Sequence, residues 1–378
     1  MAGRKVYNII RDFLVILAVK DGETMTLFHC PVKIYTGSNA LDALKACKAQ
    51  RVLVVTDKYF SQSGKAMEIG RMVPGAEVRI FDEVQPDPTA ELAAEGGALC
   101  SRYDPDLLIA LGGGSPMDCA KAMRLASGKP VTFYAIPTTA GSGSEVTSFS
   151  VLTKDGVKHP LVDSSLRPDA AILDDSLLAS LPASLVADTG MDLLAHCMEA
   201  AVAANGNGFT DGFSFYGAMT ALSELQNAFN GAQEARGKLL EASTMAGIAF
   251  DHAGLGLCHA LAHVLGGAYH LPHGRLCAMV LPHVMAANER TAVHQYARLA
   301  KFCGLSGATD RLSLRSLTAA IIRLRTSLGL PGTLRQAGVE PKDILDLLPA
   351  VLADGCCKTN PVPVTAAMVE QILQAVAR

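Results

Sequence analysis

A run of histidines near residue 260 carries the side chains best suited to chemistry. Of the ten histidines in the chain, six fall between positions 252 and 283. His259 and His263 are four residues apart, so on a helix both imidazoles project from one face. His273 follows a glycine pair and a proline, where the chain can turn back towards that face. Because neutral imidazole is a common ligand of transition metals, this stretch predicts a metal centre.

A second segment upstream extends the predicted metal centre. Asp192 and His196 are also four residues apart on a predicted helix and share one face. Together with His259 and His273 they give one carboxylate and three imidazoles. This set of nitrogen and oxygen ligands suits Fe²⁺, Zn²⁺, Mn²⁺ or Ni²⁺, and it differs from a structural zinc site built on cysteines. Cys258 points about 100° away from its neighbour His259 on a helix, so we expect it to pack rather than bind.

The elements that must position these residues follow two patterns. In the first half, β-branched runs alternate with helical stretches, which predicts a doubly wound, mostly parallel sheet. Residues 147–153 and 157–162, around Lys154-Asp155-Gly156, predict a β-hairpin. From about Leu181 onward the periodicity is helical, so the predicted fold is an α/β domain (25–181) followed by an all-helical domain (182–378). The predicted sheet strands are residues 51–56, 77–81, 106–111, 131–136 and 170–173, with helices near 88–102 and 119–126.

Residues 1–24 are set apart from this pattern. They carry an apolar face at helical spacing that charged residues interrupt, and the apolar run is too short and too charged for a membrane span. Three interpretations remain open for this segment: a start codon upstream of the true start at Met25, a short amphipathic docking helix, or a structural first helix.

Length and composition restrict the function class. A chain of 378 residues with 49% hydrophobic residues can bury two cores. A net charge of -3 gives no electrostatic case for nucleic-acid binding. The ten cysteines include no Cys-x-x-Cys spacing, and no secretory signal is evident, so we expect a cytoplasmic protein with reduced thiols.

A glycine-rich turn predicts an anion site in the first domain. Gly112-Gly113-Gly114-Ser115 lies between a predicted strand and a helix, where free backbone amides bind phosphate. Ser115 is the expected N-cap, with Pro116 at the first helical position and Asp118 three residues after the cap. A tight structural turn explains the same residues equally well.

Two further stretches support a nucleotide site. Asp57 ends the first strand of the alternating region, where a carboxylate can bind the ribose hydroxyls of adenosine and repel the extra phosphate of NADP. A capping aspartate is the alternative. The loop Ile136–Thr147, rich in hydroxyls and glycine, can wrap a phosphate or a nicotinamide edge, or form a flexible surface turn.

These motifs occur together in one order, and together they resemble a known family. Gly-Gly-Gly-Ser-x-x-Asp, Ile-Pro-Thr-Thr-Ala-Gly-Ser-Gly-Ser-Glu-Val-Thr, Gly-Met-Asp-x-x-x-His and Gly-Leu-x-His-Ala-x-Ala-His…Pro-His-Gly resemble the iron-activated (group III) alcohol dehydrogenases. The resemblance runs from about Met25 to the C-terminus. Within the family the chain is most similar to the propanol and ethanol dehydrogenases of bacterial microcompartments.

The resemblance implies roles for individual residues. It makes Asp192, His196, His259 and His273 the metal ligands, with Fe²⁺ or Zn²⁺ as the ion, and places His263 beside the nicotinamide of NAD as a candidate proton relay. Phe149 and Phe250 match positions that line the substrate pocket. The positions expected to bind the cofactor are Asp57, Gly113, Gly114, Ser115, Asp118, Thr138, Thr139, Ser142, Val151 and Lys158.

The implied function is an NAD-linked alcohol dehydrogenase for a short-chain primary alcohol and its aldehyde. The family typically forms homodimers or larger homo-oligomers, and a microcompartment shell or its enzymes are expected partners. Glycerol or another polyol is the alternative substrate. Dehydroquinate synthase would need several basic residues around the pocket, and few are present; a scaffold with a vestigial site conflicts with the intact motifs.

Overall fold

The computed structural model describes residues 27–154 and 157–378. The N-terminal segment 1–24, for which three interpretations were given, and two residues of the predicted hairpin turn, Asp155 and Gly156, lie outside this range. The chain divides into two compact units. The first, here the α/β unit, runs to Thr138 and includes Ser144–Asp174. The second, the helical unit, comprises Thr139–Gly143 and Asp175–Arg378.

The α/β unit is organised around a six-stranded parallel sheet, as predicted. Its strand order is β1-β8-β5-β4-β2-β3, and every neighbouring pair is parallel. From β2 the chain goes outward to β3 and then returns to β4 on the other side of β2. Ligands bind at such a reversal of strand order in doubly wound sheets. The strands are β1 Lys33–Thr36, β2 Arg51–Val55, β3 Glu77–Phe81, β4 Leu107–Gly112, β5 Thr132–Pro137 and β8 Ala170–Leu173.

One face of the sheet is covered by two long helices. Alternate residues of neighbouring strands, such as Leu108 and Ala110, share a buried core with Met117 and Met123. Strands β2, β4 and β8 are almost fully buried, so their sequences are nearly continuous apolar runs, and this is why they were predictable. The helices of this unit are α1 Lys58–Gln62, α2 Lys65–Arg71, α3 Ala90–Tyr103 and α4 Gly114–Ser127.

The predicted hairpin is present beside α4. Strands β6 Phe149–Lys154 and β7 Val157–Val162 pair antiparallel, with Phe149 opposite Val162. The Ser150 hydroxyl donates to the carbonyl of Asp118 at 2.8 Å, which fixes the hairpin against α4.

The helical unit contains no strand within its described residues, as predicted. Its first helix is buried over the whole stretch from Met191 to Ala200, which is typical of a central core helix. The helices are α5 Ala183–Ala200, α6 Gly208–Phe229, α7 Gln233–Ala253, α8 Leu257–Tyr269, α9 His273–Phe302, α10 Asp310–Ser327, α11 Leu348–Ala353 and α12 Ala366–Ala377.

In the described part of the chain, no single helix has both the length and the apolar character needed to cross a membrane. The pair α7 and α8 meets that test only jointly, by length and composition, across a bend of 106°.

Three local expectations need correction. Helix α4 begins at Gly114 with Gly113 as its N-cap and no side-chain cap, so the prediction of Ser115 as N-cap was wrong. The reason is Gly112, whose φ of 148° turns the chain into the helix before Ser115 is reached. Strand β1 was not predicted, because its four residues are exposed at the sheet edge and show no apolar pattern. The loop Ile136–Thr147 is largely buried, so it is not a surface turn.

Candidate metal centre and nucleotide-binding turn

Three predicted metal ligands converge in the helical unit. Asp192 lies on α5, His259 on α8, and His273 is the first residue of α9. The Asp192 Oδ1 atom is 3.6 Å from His259 Nε2 and 3.5 Å from His273 Nε2. Asp192 and His259 are buried. Two imidazole nitrogens from separate helices therefore face one buried carboxylate oxygen.

The fourth predicted ligand, His196, borders this group through its ring. The ring stacks on His259 with a centroid distance of 4.4 Å. Its Nδ1 atom is hydrogen-bonded to the carbonyl of Gly141 at 3.1 Å and lies 3.9 Å from Asp192 Oδ1. Burial lowers the pKa of His196 to about 4, so at neutral pH the ring is uncharged, the form that binds a metal.

The group fits a divalent metal ion. His259 Nδ1 lies 2.7 Å from the Glu199 carboxylate and donates to it, which leaves the lone pair on Nε2. That Nε2 atom is buried and has no hydrogen-bond partner among the described residues. Burial acts to lower the pKa of His259, but the carboxylates of Asp192 and Glu199 outweigh burial and raise that pKa. A positive charge, either a second proton on Nε2 or a metal ion, is therefore favoured between Nε2 and the Asp192 oxygen, which are 3.6 Å apart. Carboxylate, histidine and metal in that order is the usual arrangement of such sites.

The ionisation state of Asp192 agrees with a cation site. Burial acts to raise the pKa of Asp192, but the histidines around it, His196 first, outweigh burial and hold that pKa below its usual range. The carboxylate is therefore ionised at neutral pH and available to a metal.

Glu199 holds His259 in place, a role that was not predicted from the sequence. Its carboxylate accepts from the backbone N–H groups of Gly256, Cys258 and His259 at 2.9, 2.7 and 3.3 Å. It thus satisfies the amides at the start of α8 and fixes the imidazole of His259. The spacing of Asp192, His196 and Glu199 (i, i+4, i+7) places all three on one helical face, and that signal was readable in the sequence.

The position of His273 is set by a close contact between α5 and α9. A Cβ atom on Gly274 would lie 1.8 Å from the carbonyl oxygen of Asp188. Next to it, the Arg275 guanidinium donates a bidentate pair of hydrogen bonds to the Asp188 carboxylate, with donor–acceptor distances of 3.1 and 3.0 Å. This contact holds the first turn of α9 against the helix that carries Asp192.

His263 lies beside the metal group and has a carboxylate partner. Its Nδ1 atom is 2.9 Å from Asp354 Oδ2, and its ring stacks on His273 at a centroid distance of 5.3 Å. Burial acts to raise the pKa of Asp354, but the bond from His263 outweighs it and lowers that pKa to about 2. The ionised carboxylate accepts from Nδ1–H, so Nε2 of His263 is left as a proton acceptor.

Cys277 is a further member of the group that was not predicted. Its sulfur is 3.7 Å from Asp192 Oδ1 and 3.6 Å from His273 Nε2. The ligand atoms of Asp192, His259, His273 and Cys277 all lie within 4.8 Å of one another. Cys277 follows His273 by four residues on α9, the same spacing that separates Asp192 from His196.

In the α/β unit, Asp57 and the glycine-rich turn come to one edge of the sheet. The hydroxyl of Thr56 donates to the carbonyl of Leu111 at 2.8 Å, which joins the ends of β2 and β4. Asp57 caps α1 by accepting from the N–H of Phe60 at 3.1 Å. Gly113, Gly114 and Ser115 form the start of α4 beside it. This edge is where the strand order reverses, the usual location of a nucleotide.

The other predicted cofactor residues of this unit have structural partners. Asp118 accepts from Ser144 at 2.9 Å and from the N–H of Val151 at 3.2 Å, and burial raises its pKa. The ammonium of Lys158 is 2.6 Å from Asp87. Thr138 is buried, and its N–H donates to the carbonyl of Gly112 at 3.0 Å, next to the turn.

The remaining predicted residues divide between the units. Thr139 and Ser142 belong to the five-residue loop of the helical unit. Phe250 stacks on His196 at 4.4 Å, so it borders the metal group. Phe149 opens the hairpin strand β6 in the α/β unit.

Comparison with known proteins agrees with this geometry. Residues 31–175 match the family model described as iron-containing alcohol dehydrogenase, and residues 186–377 match the C-terminal model of the Fe-containing alcohol dehydrogenase family. The chain is 37% identical to the 1-propanol dehydrogenase PduQ of Citrobacter freundii, over 93% of this chain and 99% of the relative. It is 35% identical to the NADPH-dependent butanol dehydrogenase of Clostridium saccharobutylicum, over 89% and 94%.

Solved structures give the same result. The crystal structure of 1,3-propanediol oxidoreductase has a TM-score of 0.87 to this chain at 32% identity and covers 93% of this chain and all of the other, 100%. Family models and relatives thus cover both units of the chain, and the predictions of the family, the fold class and an alcohol dehydrogenase are confirmed. The chain belongs to the iron-containing alcohol dehydrogenase family.

Proposed function

We propose that this chain is a metal-dependent, NAD-linked dehydrogenase that interconverts a short-chain primary alcohol, such as propanol or ethanol, and its aldehyde. The observation that carries the proposal is the buried Nε2 of His259, which faces Asp192 at 3.6 Å and has no hydrogen-bond partner among the described residues. Asp192, His196, His259 and His273 are the proposed ligands. When bound, Fe²⁺ or Zn²⁺ supplies Lewis-acid chemistry that lowers the pKa of an alcohol hydroxyl.

The side chains around the metal group support a proton relay. With Nδ1–H donated to Asp354, His263 offers Nε2 to take the proton released when an alcohol is oxidised. The Asp354 carboxylate then stabilises the imidazolium that forms. In the direction of aldehyde reduction, the same atom returns the proton and NAD is regenerated.

The substrate class follows from the apolar residues. Phe250 is buried against His196, and a phenyl ring favours an alkyl chain over the hydroxyls of a polyol. Phe149 is assigned to the pocket by resemblance alone. The similarity to a 1-propanol dehydrogenase and a butanol dehydrogenase supports an alcohol of a few carbons.

The cofactor assignment depends on Asp57. Its carboxylate at the end of β2 would repel the 2′-phosphate of NADP, which supports NAD as the preferred cofactor. The proposed cofactor residues are Asp57, Gly113, Gly114, Ser115, Asp118, Thr138, Thr139, Ser142, Val151 and Lys158.

We further propose a homo-oligomer that acts in the cytoplasm, inside a bacterial microcompartment. The similarity to PduQ supports this location. Light scattering of the purified protein tests the oligomer, and fractionation of cells with and without microcompartments tests the location.

The proposed function is tested by measuring NADH oxidation with aldehydes of two to four carbons, glyceraldehyde and dihydroxyacetone. The protein is stripped of metal and reloaded anaerobically with Fe²⁺ or Zn²⁺. We expect the simple aldehydes to react fastest, and His259→Ala to lose both metal and activity. His294→Ala, on an exposed position of α9, is the matched control and should retain both. Faster turnover of glyceraldehyde or dihydroxyacetone would instead indicate a polyol dehydrogenase.

A further inference from the structure

The first turn of α8, which carries the proposed ligand His259, is capped by residues from other parts of the chain. The helix begins at Leu257, and its N-cap residue is a glycine without a capping side chain. Glu199 on α5 accepts from three of the four backbone amides at 256–259. The fourth amide, that of Leu257, donates to the side-chain oxygen of Asn360 at 3.2 Å. Two distant side chains therefore satisfy the amides that a helix start leaves free.

The side chain of Asn360 is buried and uses its full hydrogen-bonding capacity. Its oxygen accepts from the N–H of Leu257 and, at 3.1 Å, from the side-chain amide of Asn288. Its nitrogen donates to the Asn288 oxygen at 2.8 Å and to the carbonyl of Val362 at 2.7 Å. An asparagine amide has two donor and two acceptor positions, so none is left over. Because a backbone N–H can only donate and a carbonyl can only accept, the two backbone partners determine which end of the amide is oxygen.

Asn288, the partner of Asn360, lies on α9, the helix whose first residue is the proposed ligand His273. Its side chain is buried as well, so the two amides form a closed pair away from solvent. An uncharged side chain suits this position. A Cβ on Gly256 would lie 2.8 Å from both Asn360 Oδ1 and Glu199 Oε1, and a second carboxylate so close to Glu199 would be repelled. Asn360 thus joins the start of α8 to α9 without adding charge.

Asn360 ends a short segment, residues 354–360, that contacts α8 a second time. At the other end of the segment, the Asp354 carboxylate lies 2.9 Å from His263 Nδ1. Between the two ends, the Thr359 hydroxyl donates at 2.5 Å to the carbonyl of Leu255, in the turn before α8. The segment therefore fixes α8 at its first turn, where the proposed ligand lies, and at the histidine that is the proposed proton relay.

We propose that Asn360 is a positioning residue of the metal centre, which joins the first turn of α8 to α9 so that His259 presents Nε2 towards Asp192. The proposal rests on the proposed metal centre and adds a residue outside its ligand set. Without the Asn360 amide, the N–H of Leu257 loses its partner and Asn288 loses two bonds. Leaving buried polar groups unsatisfied is costly. The helix start then unwinds or admits water, and either change moves His259, which lies two residues after Leu257.

The experiment compares Asn360→Ala with Asn207→Ala in the full-length protein, because both remove an asparagine that caps a helix start. Asn207 accepts from the N–H groups of Phe209 and Thr210 at 2.9 and 3.3 Å, at the start of α6, a helix that carries none of the proposed ligands. Zn²⁺ affinity is measured by equilibrium dialysis of protein stripped of metal. We expect Asn360→Ala to bind Zn²⁺ about tenfold more weakly than the wild type, and Asn207→Ala to bind it as the wild type does.

Two further readouts separate positioning from general stability. Hydrogen exchange of the metal-free proteins, followed by mass spectrometry, should show the amides at 256–262 exchanging about tenfold faster in Asn360→Ala than in the wild type. In Asn207→Ala, faster exchange should be confined to the start of α6. The visible d–d bands of bound Co²⁺ depend on the arrangement of its ligands, and we expect them to change in Asn360→Ala and to stay as in the wild type in Asn207→Ala.

The outcomes distinguish this proposal from the proposed function. A wild type that binds neither Zn²⁺ nor Co²⁺ overturns the metal centre and the positioning role together. A wild type that binds metal, with Asn360→Ala equal to Asn207→Ala in affinity and Co²⁺ spectrum, overturns only the positioning role. If Asn360→Ala does not fold, Asn288→Ala takes its place, since it removes the link to α9 and leaves the bond to Leu257. We expect Asn288→Ala to lose less Zn²⁺ affinity than is predicted for Asn360→Ala, and wild-type affinity and exchange in it would overturn the proposal.

Discussion

The metal group of the helical unit and the glycine-rich turn of the α/β unit are built by different means. At the metal group two histidines are held by carboxylate side chains, His259 by Glu199 and His263 by Asp354. In the turn the shape is set by backbone, because Gly112 has a φ of 148° and the helix starts without a side-chain cap. A site made of side chains depends on supporting residues, whereas a site made of backbone depends on the absence of side chains.

The largest expected effect comes from substituting Gly274, a glycine next to the metal ligand His273. It tests whether close backbone packing also matters at a site that is built mainly of side chains. In Gly274→Ala the new Cβ would meet the Asp188 carbonyl oxygen at 1.8 Å, and two backbones would have to separate. We expect a loss of about 3 kcal/mol in unfolding free energy and a large loss of bound metal. Urea unfolding and metal analysis measure the two effects.

The matched control for Gly274→Ala is Gly212→Ala on the exposed side of α6, where a Cβ meets nothing within 4 Å. It should be neutral or stabilise by about 1 kcal/mol. If both variants behaved alike, the contact between α5 and α9 would not position the site.

The next effect concerns Glu199. In Glu199→Gln the amide can no longer accept four bonds as a carboxylate does, so His259 loses its fixed orientation. Metal affinity should fall about 10–100-fold, as for other supporting partners of metal-bound histidines. Equilibrium dialysis with Zn²⁺ measures it, and Glu241→Gln on the exposed face of α7 is the control. Unchanged affinity would remove Glu199 from the support of the site.

Asp354 gives a pH-dependent prediction. Its pKa is about 2 in the folded protein, below the ordinary value of 3.8, so it stabilises the fold above about pH 4 and this contribution disappears as pH falls through 2. Asp354→Asn should cost about 2 kcal/mol at pH 7 and progressively less in acid. Urea unfolding of metal-free protein at several pH values measures the difference, and a pH-independent cost would contradict a stabilising role for the ionised Asp354 carboxylate.

The smallest expected effect concerns Asp57. Two substitutions separate its role as the N-cap of α1 from its proposed role in cofactor preference. Asp57→Asn keeps the cap of α1 but removes the charge, and Asp57→Ala removes both. Both variants should raise the preference for NADPH over NADH about tenfold, and only the alanine variant should lose about 1 kcal/mol of stability. Steady-state kinetics with both cofactors and thermal unfolding give the two values. If the cofactor preference stayed unchanged in both, Asp57 would be only a cap.

Much of the fold and part of the site were predictable from local pattern. The buried strands and the pairs Asp192–His196 and His259–His263 follow helical or strand periodicity, which is written in neighbouring residues. The spacing of Glu199 from Asp192 and His196 indicates only a shared helical face. Its supporting role was not predicted because the Gly256 amide that it binds lies 57 residues away in sequence. Cys277 was not predicted although its spacing of four residues from His273 places both on one face of α9. Ser115 was misassigned because residue type suggested a cap where the backbone of Gly112 decides the helix start.

The loop Thr139–Gly143 makes the helical unit discontinuous in sequence. It belongs to the helical unit although β5 and β6 of the α/β unit flank it in the chain. Its Gly141 carbonyl bonds His196, and a Cβ at Gly141 would lie 2.8 Å from Thr189. A gene fragment that begins after Asp174 would therefore encode the helices without the contact that holds His196. The helical unit is therefore not encoded by one continuous segment of the gene. A gene fragment designed to transfer its metal site to another protein has to include the loop Thr139–Gly143 from the first half of the chain.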